Sequence, residues 1–141
     1  MTEPLADPLW RNATDLCCDL QRGTIAATTL MENVYARIAA LNPRLNALVD
    51  LMPQEQAMAL AATADAVPIA ERGPLHGLPM APKDAVAVKG FSTSWGYPGF
   101  SENIEAQDDE LARRLREAGA IFIGHSNMPE FGLGSHTFNQ L

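Results

Sequence analysis

The chain has 141 residues, 47% of them apolar, and its ten basic and seventeen acidic side chains give a net charge of −7. That length suits one domain, and the apolar share is enough for a packed core, which excludes wholesale disorder. The acidic balance argues against a sequence-independent nucleic-acid binder and against a polybasic membrane-surface segment, both of which need cationic surface.

The amino terminus, MTEPLADPLWRNATDL, lacks the basic start and apolar run of a secretory leader. No stretch approaches the roughly 20 apolar residues that span a bilayer. The expectation is a reduced, cytoplasmic protein. Cys17 and Cys18 are neighbours. Adjacent cysteines bridge poorly, so they read as small apolar residues on a helix rather than a redox or metal pair.

Residues 1–66 read as a helical region with three helices. In NATDLCCDLQRG, Asn12 is a cap, Leu16 and Leu20 share a face, and Gly23 is a stop. TLMENVYARIAALNP predicts the clearest helix. Thr29 and Glu32 have capping-box spacing, Leu30, Val34, Ile38 and Leu41 line one face, and Asn42-Pro43 ends it. PQEQAMALAATADA starts with Pro53 in the tolerated first position, and its alanines would let a neighbour pack closely.

The texture changes at residue 73, where an α/β region runs to residue 141. GLPMAPKDAVAVKG alternates like a strand, but Pro79 and Pro82 cannot donate to a ladder. It reads as an edge strand entering a tight loop at Lys83. GFSTSWGYPGFSENIEAQ has no period and reads as a long loop, the kind that is functional or mobile. DDELARRLREAG predicts a helix with an acidic start, a basic end and a Leu111/Leu115 stripe. AIFIG follows as a fully apolar strand, so strand, helix and strand suggest an α/β layer. HSNMPEFGLGSHTFNQL is rich in turns.

Most candidate chemistry falls away on spacing. His76, His125 and His136 fit no compact metal-ligand pattern. The acidic run Glu102–Glu110 lacks the alternation and central glycine of a calcium loop. The glycines of 73–77 and 132–134 are not followed by the Gly-Lys-Ser/Thr of a phosphate loop. No metal and no cofactor are implied. Lys83 remains, between prolines and turns. It can be a surface residue of a Lys-Asp pair. It can also be a buried amine whose pKa is pulled down by desolvation, able to act as a general base toward a hydroxyl.

GPLHGLPMAPKDAVAVKG followed by LARRLREAGAIFIGHSNMPEFGLGSHTFNQL resembles the amidase signature family in order and spacing, and IAALNPRLNALVD suits the family's start. The resemblance covers essentially the whole chain. It implies an α/β fold of helices around a mixed sheet, of which this chain carries the first strands. It implies hydrolysis of carboxylic amides by a Ser-cisSer-Lys triad, with Lys83 matching the lysine. In that scheme the neutral lysine takes a proton from a bridging serine, which activates a nucleophilic serine.

The family's Gly/Ser-rich segment with both serines comes later than residue 141. Ser92, Ser94, Ser101, Ser126 and Ser135 stand in other blocks. The expectation is that these residues alone do not hydrolyse amides and need a complementing carboxy-terminal part, with a homo-oligomer as the other possibility. Met128, Pro129 and Phe131 fall where the family builds its substrate-pocket wall, the candidate binding residues being Met128 and Phe131. His125 stands where many members have lysine. A rival within the family is the ammonia-supplying component of an aminoacyl-tRNA amidotransferase (its A subunit), which frees ammonia from glutamine for a partner; His125 disfavours it. A rival outside catalysis is a remnant that binds a partner.

Overall fold

A computed structural model describes residues 8–141. Residues 1–7, the start of the stretch read above as no secretory leader, lie outside the described residues. After a short turn at Pro8–Trp10, helix α1 spans Ala13–Arg22. The Asn12 side chain accepts from the Asp15 amide, and Gly23 ends the helix at φ 72°. Cys17 and Cys18 lie on α1 as free, half-buried thiols.

Helix α2, Ala27–Leu45, departs from its sequence reading at both ends. It starts before Thr29, and its cap comes from outside the helix. The Asp65 carboxylate accepts from the Ala27 amide at 2.6 Å, the Thr28 amide at 3.1 Å and the Thr28 hydroxyl at 2.7 Å. Pro43 does not end α2, which runs on to Leu45 and closes at Asn46 in the left-handed region. The buried face is Ala27, Leu30, Met31 and Tyr35, so the stripe is rotated from the predicted one and Leu41 is exposed.

Strand β1, Leu48–Val49, falls inside the region read as purely helical. Helix α3, Gln54–Asp65, takes Pro53 as its cap and lays fully buried Ala57 and Ala61 against α2. The last turns of α1 and α3 meet at Arg72. Its guanidinium donates to the carbonyls of Leu20, Val67 and Asp65, satisfying groups that a helix end leaves free.

The remaining elements are β2 (Pro79–Met80), α4 (Glu110–Glu117), β3 (Ile121–Phe122) and β4 (His125–Ser126). Residues 121–127 form a spine that links two two-stranded sheets, β2 with β3 and β1 with β4. Along one side β2 and its continuation run parallel, with Ile121 donating to Leu78, Ile123 to Met80 and Ser126 to Pro82. Along the other side β1 pairs antiparallel with β4, Leu48 opposite Ser126 and Val49 opposite His125. Gly124, at φ 152°, sits where the ladder changes sides, and a Cβ there would press on the Val49 and Asp50 carbonyls. Among the described residues the segment 78–83 pairs with a strand on one side only, the place for a proline-bearing strand.

The spine is apolar on both faces. Ile121 and Ile123 join Leu16, Leu20, Leu30, Met31 and Tyr35 in the helical core. Phe122 points the other way, to Val88, Phe91 and Ala112. This is why AIFIG shows no alternation. On α4 the buried contact is Ala112, with Leu115 partly buried; Leu111, predicted in the stripe, is 54% exposed. The segment read as a long loop is one, tied together by an isolated antiparallel bridge between Ser92 and Ile104 and by the Gly90 amide donating to the Glu105 carbonyl.

Candidate active site

Lys83 continues the β2 segment one step past Pro82. Its backbone is held on both flanks, because the Ser126 amide donates to the Pro82 carbonyl at 2.7 Å and the Asp84 amide donates to the Ser126 carbonyl at 3.0 Å. Lys83 and Ser126 are parallel register partners. The Lys83 carbonyl then accepts from Ala85 and Val86, turning the chain sharply. The rigid base expected from the prolines is present; the expected burial is not. Lys83 is exposed, and among the described residues its amine has no hydrogen-bond or ion-pair partner. The ribbon offers it one open face, and no described element packs over that face.

The buried chemistry lies on the opposite face. Asp84 is 1% exposed and His125 is fully buried. The Asp84 carboxylate accepts from the Ser94 amide at 2.8 Å, the Ser94 hydroxyl and the Gly96 amide at 3.0 Å. His125 Nδ1 lies 2.9 Å from the Ser92 carbonyl and 3.8 Å from Asp84 Oδ1. A carbonyl can only accept, so Nδ1 carries the proton; Nε2 is left without a partner among the described residues. Sequence reading passed over this network. Its one visible signal was the Lys-Asp pair, whose two side chains the turn after Lys83 sends to different sides, Lys83 exposed and Asp84 buried.

The Ser94–Gly96 turn connects this network to the proposed pocket wall. The Phe131 amide donates to the Trp95 carbonyl at 2.7 Å. Trp95 and Phe131 both have φ 51°, unusual for bulky residues. Gly96 packs so closely on the Met128 carbonyl that no side chain fits there. Met128 is buried, whereas Phe131 is 53% exposed and meets Tyr97 and Phe100 in a cluster of tilted and edge-on rings. Beside these elements lies a cavity of about 380 Å³ lined by Asp50, Asp84, Ser92, Ser94 and Leu141, among others.

The structure does not bring the three histidines together. His76 is buried with Nε2 at 3.0 Å from the Ala64 carbonyl, and burial pushes its pKa below the ordinary value. His136 is exposed beside Phe138. Among the described residues no three His, Cys, Asp or Glu side chains stand close enough to hold a metal ion. Glu110, exposed at the start of α4, is held at about 2 by its bonds to Arg113 and Arg114, so this acidic stretch is a helix surface of ion pairs. No described helix is long and apolar enough to cross a membrane.

The model of the Amidase family matches residues 29–141, which include Lys83, the Asp84 network and the Met128–Phe131 segment. The chain belongs to the amidase family. Relatives include the indoleacetamide hydrolase of Bradyrhizobium diazoefficiens, 37% identical over 95% of this chain and 26% of that protein. The A subunit of the glutamyl-tRNA(Gln) amidotransferase of Lysinibacillus sphaericus is 36% identical over 92% of this chain and 26% of its own length. Among solved structures the native peptide amidase of Stenotrophomonas maltophilia superposes with a TM-score of 0.77 at 35% identity, covering 88% of this chain and 26% of that one. The chain thus spans about a quarter of the length of these amidase-family relatives and carries the helices and first strands of their α/β fold.

Proposed function

We propose that this chain supplies the lysine of a Ser-cisSer-Lys amidase that hydrolyses small carboxylic amides in the cytoplasm. The observation that carries the reading is Lys83 itself. It stands in the matched Lys-Asp segment, pinned by Ser126 on both flanks, with its amine free on the open face. In the complete enzyme the remaining three quarters of the relatives' length covers that face. The amine, losing water, gives up its charge more easily. Neutral Lys83 takes the proton of a bridging serine, that serine takes the proton of the nucleophile, and the nucleophile adds to the amide carbon. The leaving nitrogen takes a proton back along the same relay, and water releases the acyl group.

Residues 1–141 alone do not complete this relay. The nearest serine by register, Ser126, directs its hydroxyl to the Pro82 carbonyl at 3.4 Å rather than to Lys83. Met128 and Phe131 form part of the pocket wall, Phe131 by its exposed ring and Met128 by supporting the turn beneath it. The partners are the amide and the complementing carboxy-terminal part, with no nucleic acid, metal or cofactor in the reaction.

The test is a hybrid in which residues 1–141 replace the corresponding quarter of the Stenotrophomonas maltophilia peptide amidase, assayed for ammonia release from a primary amide. The hybrid is expected to be active, with Lys83→Ala slower by about 10²- to 10⁴-fold, the range of a general base. Undiminished turnover in the alanine variant rules Lys83 out. The Lysinibacillus sphaericus relative favours a second reading, the ammonia-supplying component of an amidotransferase. Ammonia release from glutamine that appears only with partner subunits distinguishes it from a free-standing amidase.

A further inference from the structure

Asp84 does more than fill a buried site. Its carboxylate takes all of its donors from one turn: the Ser94 amide and hydroxyl and the Gly96 amide. Its carbonyl accepts from the Trp95 amide at 3.1 Å, and its own amide donates to Ser126. Lys83 is bridged to Ser126, and Asp84 begins the tight turn that the Lys83 carbonyl closes, so the bonds that hold Asp84 inward also hold the backbone from which Lys83 leaves outward. The clamped turn is the one whose Trp95 carbonyl receives the Phe131 amide. A shift of Asp84 therefore reaches the lysine and the aromatic wall together. Only an ionised carboxylate offers acceptors alone; an asparagine would aim an NH₂ group at one of the donors.

We propose that Asp84 is the positioning residue for Lys83, fixing the backbone from which its side chain leaves, and so where the lysine starts relative to the Phe131 wall, through the Ser94–Gly96 turn. The proposal rests on the reading of Lys83 as the amidase base, but it has a test that needs no turnover. Lys83 and Lys89 are the chain's two lysines. Brief acylation of the 141-residue chain, followed by mass spectrometry, reads each amine against the other.

The Lys83-to-Lys89 labelling ratio is expected to differ between the folded chain and the chain in urea. Asp84→Asn is expected to bring the folded ratio at least halfway back to the urea value. The control is Asp65→Asn, which also deprives three donors of a carboxylate, but at the start of α2. It is expected to lower the melting temperature and leave the ratio unchanged. A wild-type ratio that is the same folded and unfolded overturns the proposal, as does an Asp84→Asn ratio at the wild-type value or an equal shift in Asp65→Asn. Should Asp84→Asn fail to fold, Ser94→Ala removes one donor and should move the ratio in the same direction; no movement is equally fatal.

In the hybrid amidase Asp84→Asn is expected to lower kcat by about 10²-fold, the cost of a misplacement near 1 Å, with KM nearly unchanged. Asp65→Asn should leave both parameters in place. Loss of activity in Lys83→Ala decides the amidase reading; the labelling ratio decides the role of Asp84.

Discussion

The helical layer and the Lys83 ribbon differ in the polar groups that they bury. Between α1, α2 and α3 the contacts are Leu20, Leu30, Met31, Ala57 and Ala61, each at most 1% exposed. Carboxylate and guanidinium groups there serve helix ends: Asp65 caps α2, and Arg72 closes α1 and α3. On the ribbon side Asp84, Thr93 and His125 are buried beside Val88 and Phe122, while the rings of Tyr97, Phe100 and Phe131 are exposed. A layer built for stability hides its apolar groups and spends its charges on caps. The ribbon side hides a polar clamp and leaves aromatic rings exposed.

The largest effect should come from breaking the helical layer. Leu30→Ala removes a fully packed side chain and leaves a cavity, so denaturant unfolding should show a loss of about 2–5 kcal/mol. A loss below about 1 kcal/mol would mean that α2 does not carry the core. Asp65→Asn should cost about 1 kcal/mol, the worth of a helix cap. Burial pushes the Asp65 pKa up, but the Thr28 and Ala27 bonds outweigh it and leave the carboxyl below its ordinary value. A depressed carboxyl stabilises the fold fully above the unfolded value, about 3.9, and that contribution fades as pH falls through the folded value. The gap between wild type and Asp65→Asn should therefore persist at neutral pH and close below about pH 4. A gap that is constant down to about pH 2 would show that the cap does not depend on charge.

Much of this comparison could be read from the sequence, and the misses share a cause. Asn12, Gly23 and the apolar AIFIG run announce themselves through local chemistry, and the structure follows them. The start of α2 was misplaced because its cap, Asp65, lies at the far end of another helix, where no capping-box spacing can reveal it. Strand β1 is too short to show a period and exists because the spine supplies its partners. The loop at 90–107 was legible as a loop, but the bridge between Ser92 and Ile104 that ties it together was not, because composition does not report such a bond. At the candidate site Lys83 and the Met128–Phe131 segment were legible as motifs. The Asp84–Ser94–His125 network was not, since it joins residues ten and more positions apart that only the fold brings together.

Smaller effects should separate the ribbon from the helices most sharply. Phe131 holds φ 51°, a region that costs a side-chain-bearing residue about 1–2 kcal/mol. Phe131→Gly should therefore be more stable than Phe131→Ala by about 1 kcal/mol, although glycine normally weakens a chain relative to alanine. The reverse order in thermal melts would show that residue 131 is free to relax.

Lys83→Ala should change stability least of all. The side chain is exposed and makes no ion pair or hydrogen bond among the described residues, so its removal should stay within about 0.5 kcal/mol in denaturant unfolding of the chain. The same substitution is expected to cost the hybrid enzyme at least a hundredfold in rate, the lower end of general-base catalysis. A core residue shows the opposite pairing, because its removal lowers activity only through the folded fraction. If Lys83→Ala instead destabilises the isolated chain by more than about 1 kcal/mol, the amine already has a structural partner on the open face, and its loss of activity could no longer be credited to proton transfer.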